Sequence, residues 1–158
     1  MTADQIYLLR KSFAEVEAQS QVAALVFYRR LFELAPAVRP MFHTDIEEQA
    51  RKLMEMLGMV LSLMERPGAL EKELEESGQR HATYGVREEH YPIVGGAMLQ
   101  MLESVLGDRW TPAVAGAWTE FYGYMTECMQ RGAAQAGFES QARPDATTKT
   151  ARPSRPNR

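Results

Sequence analysis

Cysteine is almost absent from this chain, since Cys128 is the only one among 158 residues. A single thiol excludes an intrachain disulfide and any cysteine-based metal cluster, which fits a reducing compartment. Long apolar runs are also missing, because no stretch approaches the roughly 20 residues that a membrane-spanning helix needs. The polar start, from Met1 to Asp4, lacks the apolar segment of a signal peptide. We therefore expect a cytoplasmic protein that does not enter a membrane.

Basic residues are scarce outside the last part of the chain. The whole sequence has 18 Lys and Arg against 21 Asp and Glu, and residues 143–158 hold five of those bases and one of the acids. Residues 1–142 therefore have 13 bases and 20 acids, and this acidic balance disfavours nucleic acid as a partner. Residues 143–158 contain three prolines and no apolar residue larger than alanine. We predict one folded domain over 1–142 and a disordered, basic, proline-rich tail over 143–158.

A strand pattern is the third absence, because hydrophobic residues nowhere alternate with polar ones over the length of a strand. They recur instead at helical spacings of three and four, behind caps such as Thr2 or Asp4 and Thr111-Pro112. A short helical turn fits between Pro36 and Pro40. The sequence predicts an all-α protein of about seven unequal helices packed irregularly around a pocket, rather than a regular four-helix bundle. The long helical runs are 6–16, 22–32, 46–64, 70–81, 91–105 and 114–129.

Two of these runs allow further expectations about packing. The run 22–32 is apolar on a wide face that includes Val22 and Leu25, which predicts a buried helix. Gly58 costs about 1 kcal/mol in helix propensity against alanine, which indicates that another helix crosses closely there.

His81 is the residue around which the functional interpretation is built. Leu70, Leu74, Ser77 and His81 follow one another at spacings of four, three and four, so they share one helix face and His81 points inward. A Gly85 break follows. A neutral imidazole is the commonest metal ligand in proteins, and one helix-borne histidine typically holds a haem iron. The alternative is a core or surface histidine without a ligand.

Several segments, in order, resemble a globin over roughly residues 4–130. The resemblance is to bacterial single-domain globins of the Hell's Gate globin type, with flavohaemoglobin haem domains and neuroglobin more distant. It is carried by 25–32, Met41-Phe42, 49–54, 80–86, 90–95 and 117–123. It implies a globin fold of about seven helices around a haem pocket.

The same resemblance assigns candidate residues. His81 is similar to the proximal haem ligand, Phe42 to the phenylalanine against the haem face, and Leu53 to the apolar floor of the distal side. Tyr28 and Gln49 resemble the distal residues that donate hydrogen bonds to a bound ligand. The alternatives are a core aromatic for Tyr28 and a solvated helix start for Gln49.

Further candidates lie at the edges of the expected pocket. Tyr91 resembles a tyrosine beside the proximal histidine in flavohaemoglobins. A glutamate completes the proximal network of those proteins, but Ala133 stands at its position in this sequence. Val94 is a candidate pocket residue. Lys52 and Arg80 stand where basic side chains reach haem propionates, or are ordinary surface charges.

The resemblance implies a haem b protein that reversibly binds dioxygen and other small diatomic ligands, as in oxygen transport. One alternative is an enzyme, a nitric oxide dioxygenase served by a separate reductase, since no reductase domain follows in this sequence. Another is a haem-based gas sensor, although no transducer domain is attached. The oligomeric state is left open.

Overall fold

The computed structural model describes the backbone of residues 1–142 and the side chains of residues 1–137, and within that range the regular structure is entirely helical. The all-α prediction is therefore confirmed. The predicted disordered tail, 143–158, lies outside the described residues. Two short 3-10 helices lie at Pro36–Met41 and Gly107–Arg109. The six α-helices are α1 Ala3–Glu17, α2 Ser20–Leu34, α3 Ile46–Ser62, α4 Pro67–Thr83, α5 His90–Leu106 and α6 Pro112–Ala142.

The helix starts follow the local sequence closely. Thr2 caps α1 by accepting from the Gln5 amide at 3.2 Å, and the Gln5 side chain returns a bond to the Thr2 amide. Asp45 caps α3 by accepting from the Glu48 amide at 2.8 Å. The Thr111 hydroxyl accepts from the Val114 amide at 3.3 Å, just before Pro112 opens α6. These short-range bonds satisfy amides that have no partner inside the helix.

The helices pack in two groups that share one core. The most extensive contact is between α4 and α6. Helix α2 packs on both α3 and α5, and α1 packs on α6. Trp118 and Phe121 of α6 are completely buried, and the Trp118 indole donates to the Ser12 hydroxyl at 2.9 Å. This arrangement puts the helix that carries His81 against the long final helix. No helix within 1–142 has the length and apolarity that crossing a bilayer requires.

Helices α4 and α6 approach each other closely at Gly78 and Gly132. A Cβ built on Gly78 would overlap the Met129 carbonyl, and one built on Gly132 would overlap that of Glu75. A close crossing was also expected at Gly58, but there the facing backbone is not within contact distance. A Cβ on Gly58 would meet only the Phe13 ring, at an ordinary 3.5 Å.

The prediction that α2 is buried holds for one face only. Phe27, Tyr28 and Leu31 are buried, whereas Val22 and Leu25 are 56% and 54% exposed. Alanines at 23 and 24, both fully buried, take the inward positions at the start of this helix. Hydrophobicity alone therefore overestimated the buried width of α2.

Candidate functional site

His81 stands in the last turn of α4 and is half-buried. Leu70, Leu74 and Ser77, which precede it on the same face, are buried. Its Nδ1 lies 2.7 Å from the Ser77 backbone carbonyl, which can only accept a hydrogen bond. The neutral ring must therefore carry its proton on Nδ1. Within residues 1–142, Nε2 makes no hydrogen bond and keeps its lone pair.

The surroundings of His81 favour its neutral form. Burial lowers its pKa from the ordinary 6.5, and the charge of Arg80 lowers it further, although the bond to the Ser77 carbonyl acts the other way. At neutral pH the ring is then mostly uncharged. An uncharged imidazole with a fixed Nδ1 proton is the form that binds metal ions.

The turn that follows α4 lies near the segment between α2 and α3. Gly85 has a φ of 90°, a conformation that residues with a side chain rarely adopt. A Cβ there would lie 3.9 Å from the Met41 methyl group, so the turn after α4 approaches the residue before Phe42. The backbone therefore brings the His81 turn near the segment between α2 and α3.

Tyr28, Phe42 and Gln49 come together where α2 meets the start of α3. The Tyr28 hydroxyl donates to the Gln49 backbone carbonyl at 3.2 Å, and the Tyr28 and Phe42 rings lie edge to face with centroids 5.4 Å apart. Phe42 also packs on Phe32 with centroids 5.5 Å apart. The Arg39 guanidinium lies 5.0 Å from the centre of the Phe32 ring. The first three residues were all predicted for one site, and they lie together.

The Gln49 side chain has a partner that the sequence did not reveal. Its Nε2 donates to the hydroxyl of Thr44, which stands just before the Asp45 cap. Both side chains are half-buried. A threonine before a helix cap is a common turn residue, so the only available signal was its spacing of five from Gln49.

The two basic candidates have local carboxylate partners. Lys52 Nζ lies 3.7 Å from Glu48, and Arg80 lies 3.1 Å from Glu73, each on its own helix. Their side chains are about half exposed, at 51% and 53%. This geometry fits ordinary surface ion pairs, which contribute little to stability.

Tyr91, Val94 and Leu53 lie on inward-facing helix positions. Tyr91 is buried, while Val94 and Leu53 are partly buried and pack against the core. Tyr91 and Ala133 line one shallow cavity together with Gln130, Val86 and Glu88. A carboxylate residue thus borders Tyr91, but it comes from the turn before α5 and not from α6.

Burial of Tyr28 and Tyr122 allows a prediction about alkaline pH. Burial raises the pKa of each phenol from 10.0 to about 12. Between these values the unfolded chain releases protons that the folded chain retains, so the free energy of unfolding falls as the pH rises above 10. We expect Tyr28→Phe to lose less stability than the wild type between pH 8 and pH 11, as measured by urea unfolding. An equal loss in both proteins would contradict the assignment of Tyr28 to a dry environment.

Comparison with known protein families identifies the chain's relatives. The family model described as Globin matches residues 25–129. A flavohemoprotein of Rhizobium meliloti is 33% identical over 135 residues, covering 83% of this chain and 32% of that protein. One from Rhodopirellula baltica is 30% identical over 130 residues, covering 80% and 32%. The chain spans about a third of the length of these curated relatives.

Solved structures share the same fold. An engineered carbene transferase from Rhodothermus marinus, itself a candidate nitric oxide dioxygenase, superposes with a TM-score of 0.78 at 26% identity, covering 90% of this chain and 99% of that one. A bacterial globin from Campylobacter jejuni gives 0.75 at 25% identity, covering 87% and 99%. A hexacoordinated haem protein from a tardigrade, 20% identical, gives 0.77 over 85% and 96%, which concerns the fold alone.

These matches agree with the helical fold and with the order of the segments on which the resemblance was based. The family model covers the stretch from α2 to α6, which includes Phe42, Gln49 and His81. Globins bind haem and small diatomic ligands. The chain belongs to the globin family.

Proposed function

We propose that this protein binds haem b through Nε2 of His81 and holds dioxygen reversibly, together with other small diatomic ligands, beside Tyr28 and Gln49. The observation that carries the proposal is the 2.7 Å contact between Nδ1 of His81 and the Ser77 carbonyl. It fixes the tautomer whose Nε2 is free to bind a metal. Because the acceptor is backbone, substitution of Ser77 would not remove it.

The residue types at these positions suit a porphyrin. A porphyrin supplies four nitrogen ligands to its iron, so the protein needs to supply only one more ligand, a single imidazole. The partly buried apolar side chains Phe42, Leu53 and Val94 suit the faces of a flat apolar disc. When bound, ferrous haem supplies the coordination position at which dioxygen binds reversibly.

Tyr28 and Gln49 each carry a donor that a negatively polarised ligand could accept from. The Tyr28 proton now goes to the Gln49 carbonyl at 3.2 Å, which is longer than the roughly 2.5–3.0 Å of a good O–H···O bond. Replacing such a weak bond with one to a ligand atom that has partial negative charge costs little free energy. One N–H of the Gln49 amide is used by Thr44, and the other remains.

We expect Tyr28→Phe to speed dioxygen release while changing carbon monoxide release little. A net hydrogen bond of about 0.5–1.5 kcal/mol corresponds to about a two- to twelvefold change in rate. Carbon monoxide acquires less negative charge, so losing the donor affects it less. Stopped-flow displacement of each gas from the ferrous protein measures both rates. Gln49→Leu should act in the same direction but more weakly, because a long amide side chain loses rotamer freedom when it donates.

Two results would contradict this use of Tyr28. Equal acceleration for both gases would show that the phenol acts by steric obstruction, and no change for either would place it away from the ligand. The double variant of Tyr28→Phe and Gln49→Leu supplies the matched test of coupling. Two donors to one acceptor are not independent, so the combined effect should differ from the sum of the two.

A second function is favoured by the relatives. Both compared sequences are flavohemoproteins, and one compared structure is a candidate nitric oxide dioxygenase. Nitric oxide oxidation to nitrate would need dioxygen held at the same site and a separate reductase to restore ferrous haem. Stopped-flow mixing of the dioxygen-loaded protein with nitric oxide, followed by steady-state turnover with an added reductase, separates the two functions. Sustained nitrate formation supports the enzyme, whereas a single turnover without recovery supports a binding protein.

A further inference from the structure

The side chain of Gln49 is held at the corner before α3 by Thr44, a residue with no assigned role. Thr44 precedes the Asp45 cap, and its hydroxyl accepts from Nε2 of Gln49 across the first turn. The Gln49 backbone carbonyl is held separately by the Tyr28 hydroxyl at 3.2 Å. Gln49 is therefore restrained at both its main chain and its side chain.

Because the donor is a primary amide, the hydrogen bond from Gln49 to Thr44 also orients the rest of the amide group. Nε2 carries two N–H bonds in one plane, about 120° apart. When one of them points at Thr44, the direction of the other is restricted, and the side chain has already lost part of its rotamer freedom. A donor fixed in advance binds its acceptor more strongly than one that must first be ordered.

We propose that Thr44 is a positioning residue that orients the Gln49 amide, so that its second N–H serves the diatomic ligand. This inference rests on the proposed function, because it assigns Gln49 to that ligand. Thr44 need not touch the ligand, and its influence passes through the Gln49 amide. Asp45 caps α3 independently by accepting from the Glu48 amide at 2.8 Å, so the hydroxyl of Thr44 is not needed for the helix start.

Thr44→Val tests the inference, because valine keeps the shape of threonine and removes the hydroxyl. We expect dioxygen release from Thr44→Val to be faster than from wild type, by at most about two- to twelvefold and by no more than in Gln49→Leu, because the effect passes through the Gln49 amide. Thr44→Ser, which keeps the hydroxyl, should stay near the wild-type rate. In a Gln49→Leu background, Thr44→Val should have no further effect. Thr119→Val is the matched control, since that hydroxyl bonds only the Ala115 carbonyl on α6.

NMR spectroscopy tests the hydrogen bond between Gln49 and Thr44 directly. Nitrogen–proton NMR of the protein saturated with carbon monoxide should show the Gln49 side-chain amide shifted and slowly exchanging. Its signal is assigned by its disappearance in Gln49→Leu. Both features should be lost in Thr44→Val and kept in Thr44→Ser.

Three outcomes would overturn the inference. These are unchanged or slower dioxygen release in Thr44→Val, equal effects of valine and serine, and a Gln49 amide signal that does not respond to Thr44. A wild-type protein that binds no haem would overturn the proposed function, and this failure appears before any variant is made. A haem-loaded wild type with an unresponsive Thr44→Val overturns this inference alone.

Discussion

His81→Ala is expected to lose stable haem binding. Residues that only orient a metal ligand are worth about 10- to 100-fold in metal affinity, so loss of the ligand itself should exceed that. Alanine keeps the helix propensity of α4 and leaves a space the size of the lost ring. Free imidazole should enter that space and restore haem binding. Haem titration followed by absorbance, with and without imidazole, measures both effects.

His90→Ala is the matched control for this experiment. The His90 ring accepts from the Arg87 amide at 2.9 Å in the turn before α5, which occupies its Nδ1 in local structure. We expect His90→Ala to bind haem as the wild type does. Full haem retention with an unchanged spectrum in His81→Ala would remove His81 as the ligand.

Gly78→Ala and Gly132→Ala should each destabilise the protein by more than about 2 kcal/mol. An added Cβ would overlap a backbone carbonyl of the facing helix, which cannot move aside as a flexible side chain can. Alanine's better helix propensity offsets only about 1 kcal/mol of this cost. Gly78 lies one turn before His81, so displacement of α4 should also weaken haem affinity. Urea unfolding gives the first quantity and haem titration the second.

Gly123→Ala separates the packing effect from helix propensity. Gly123 is an exposed α6 residue with open space where a Cβ would lie. This substitution should stabilise the protein by about 0.5–1 kcal/mol, because it removes backbone freedom from the unfolded chain. If the alanines at 78 and 132 behaved like that at 123, the helices could not be in contact at these glycines.

Local features were predictable from the sequence because their causes are local. Thr2, one of the two caps expected for the first helix, and Thr111 precede their helices within hydrogen-bonding reach, so the sequence alone places these two helix starts. The row ending at His81 has helical spacing, and its members Leu74 and Ser77 are buried. The grouping of Tyr28, Phe42 and Gln49 came from the family resemblance, and their contacts agree with it.

Features that join distant residues could not be predicted in the same way. Gly78 and Gly132 lie on different helices, and nothing in either run indicates that its partner is a facing backbone. Gly58 was the glycine at which the sequence predicted a close crossing, yet a Cβ there would meet only the Phe13 ring. Lys52 and Arg80 were equally ambiguous, because a basic side chain on a helix can turn to a cofactor or to a nearby glutamate. The structure pairs both with glutamates.

The most direct test of the account is the resonance Raman spectrum of the ferrous, ligand-free protein with His81 as its sole histidine. The variant carries His43→Gln and His90→Gln, which replace the other two histidines of the sequence. Ligation by His81 predicts an iron–histidine stretching band that shifts to lower frequency when the protein is labelled with nitrogen-15 histidine. Absence of that band, or a band that does not move with the label, would contradict ligation of haem by His81.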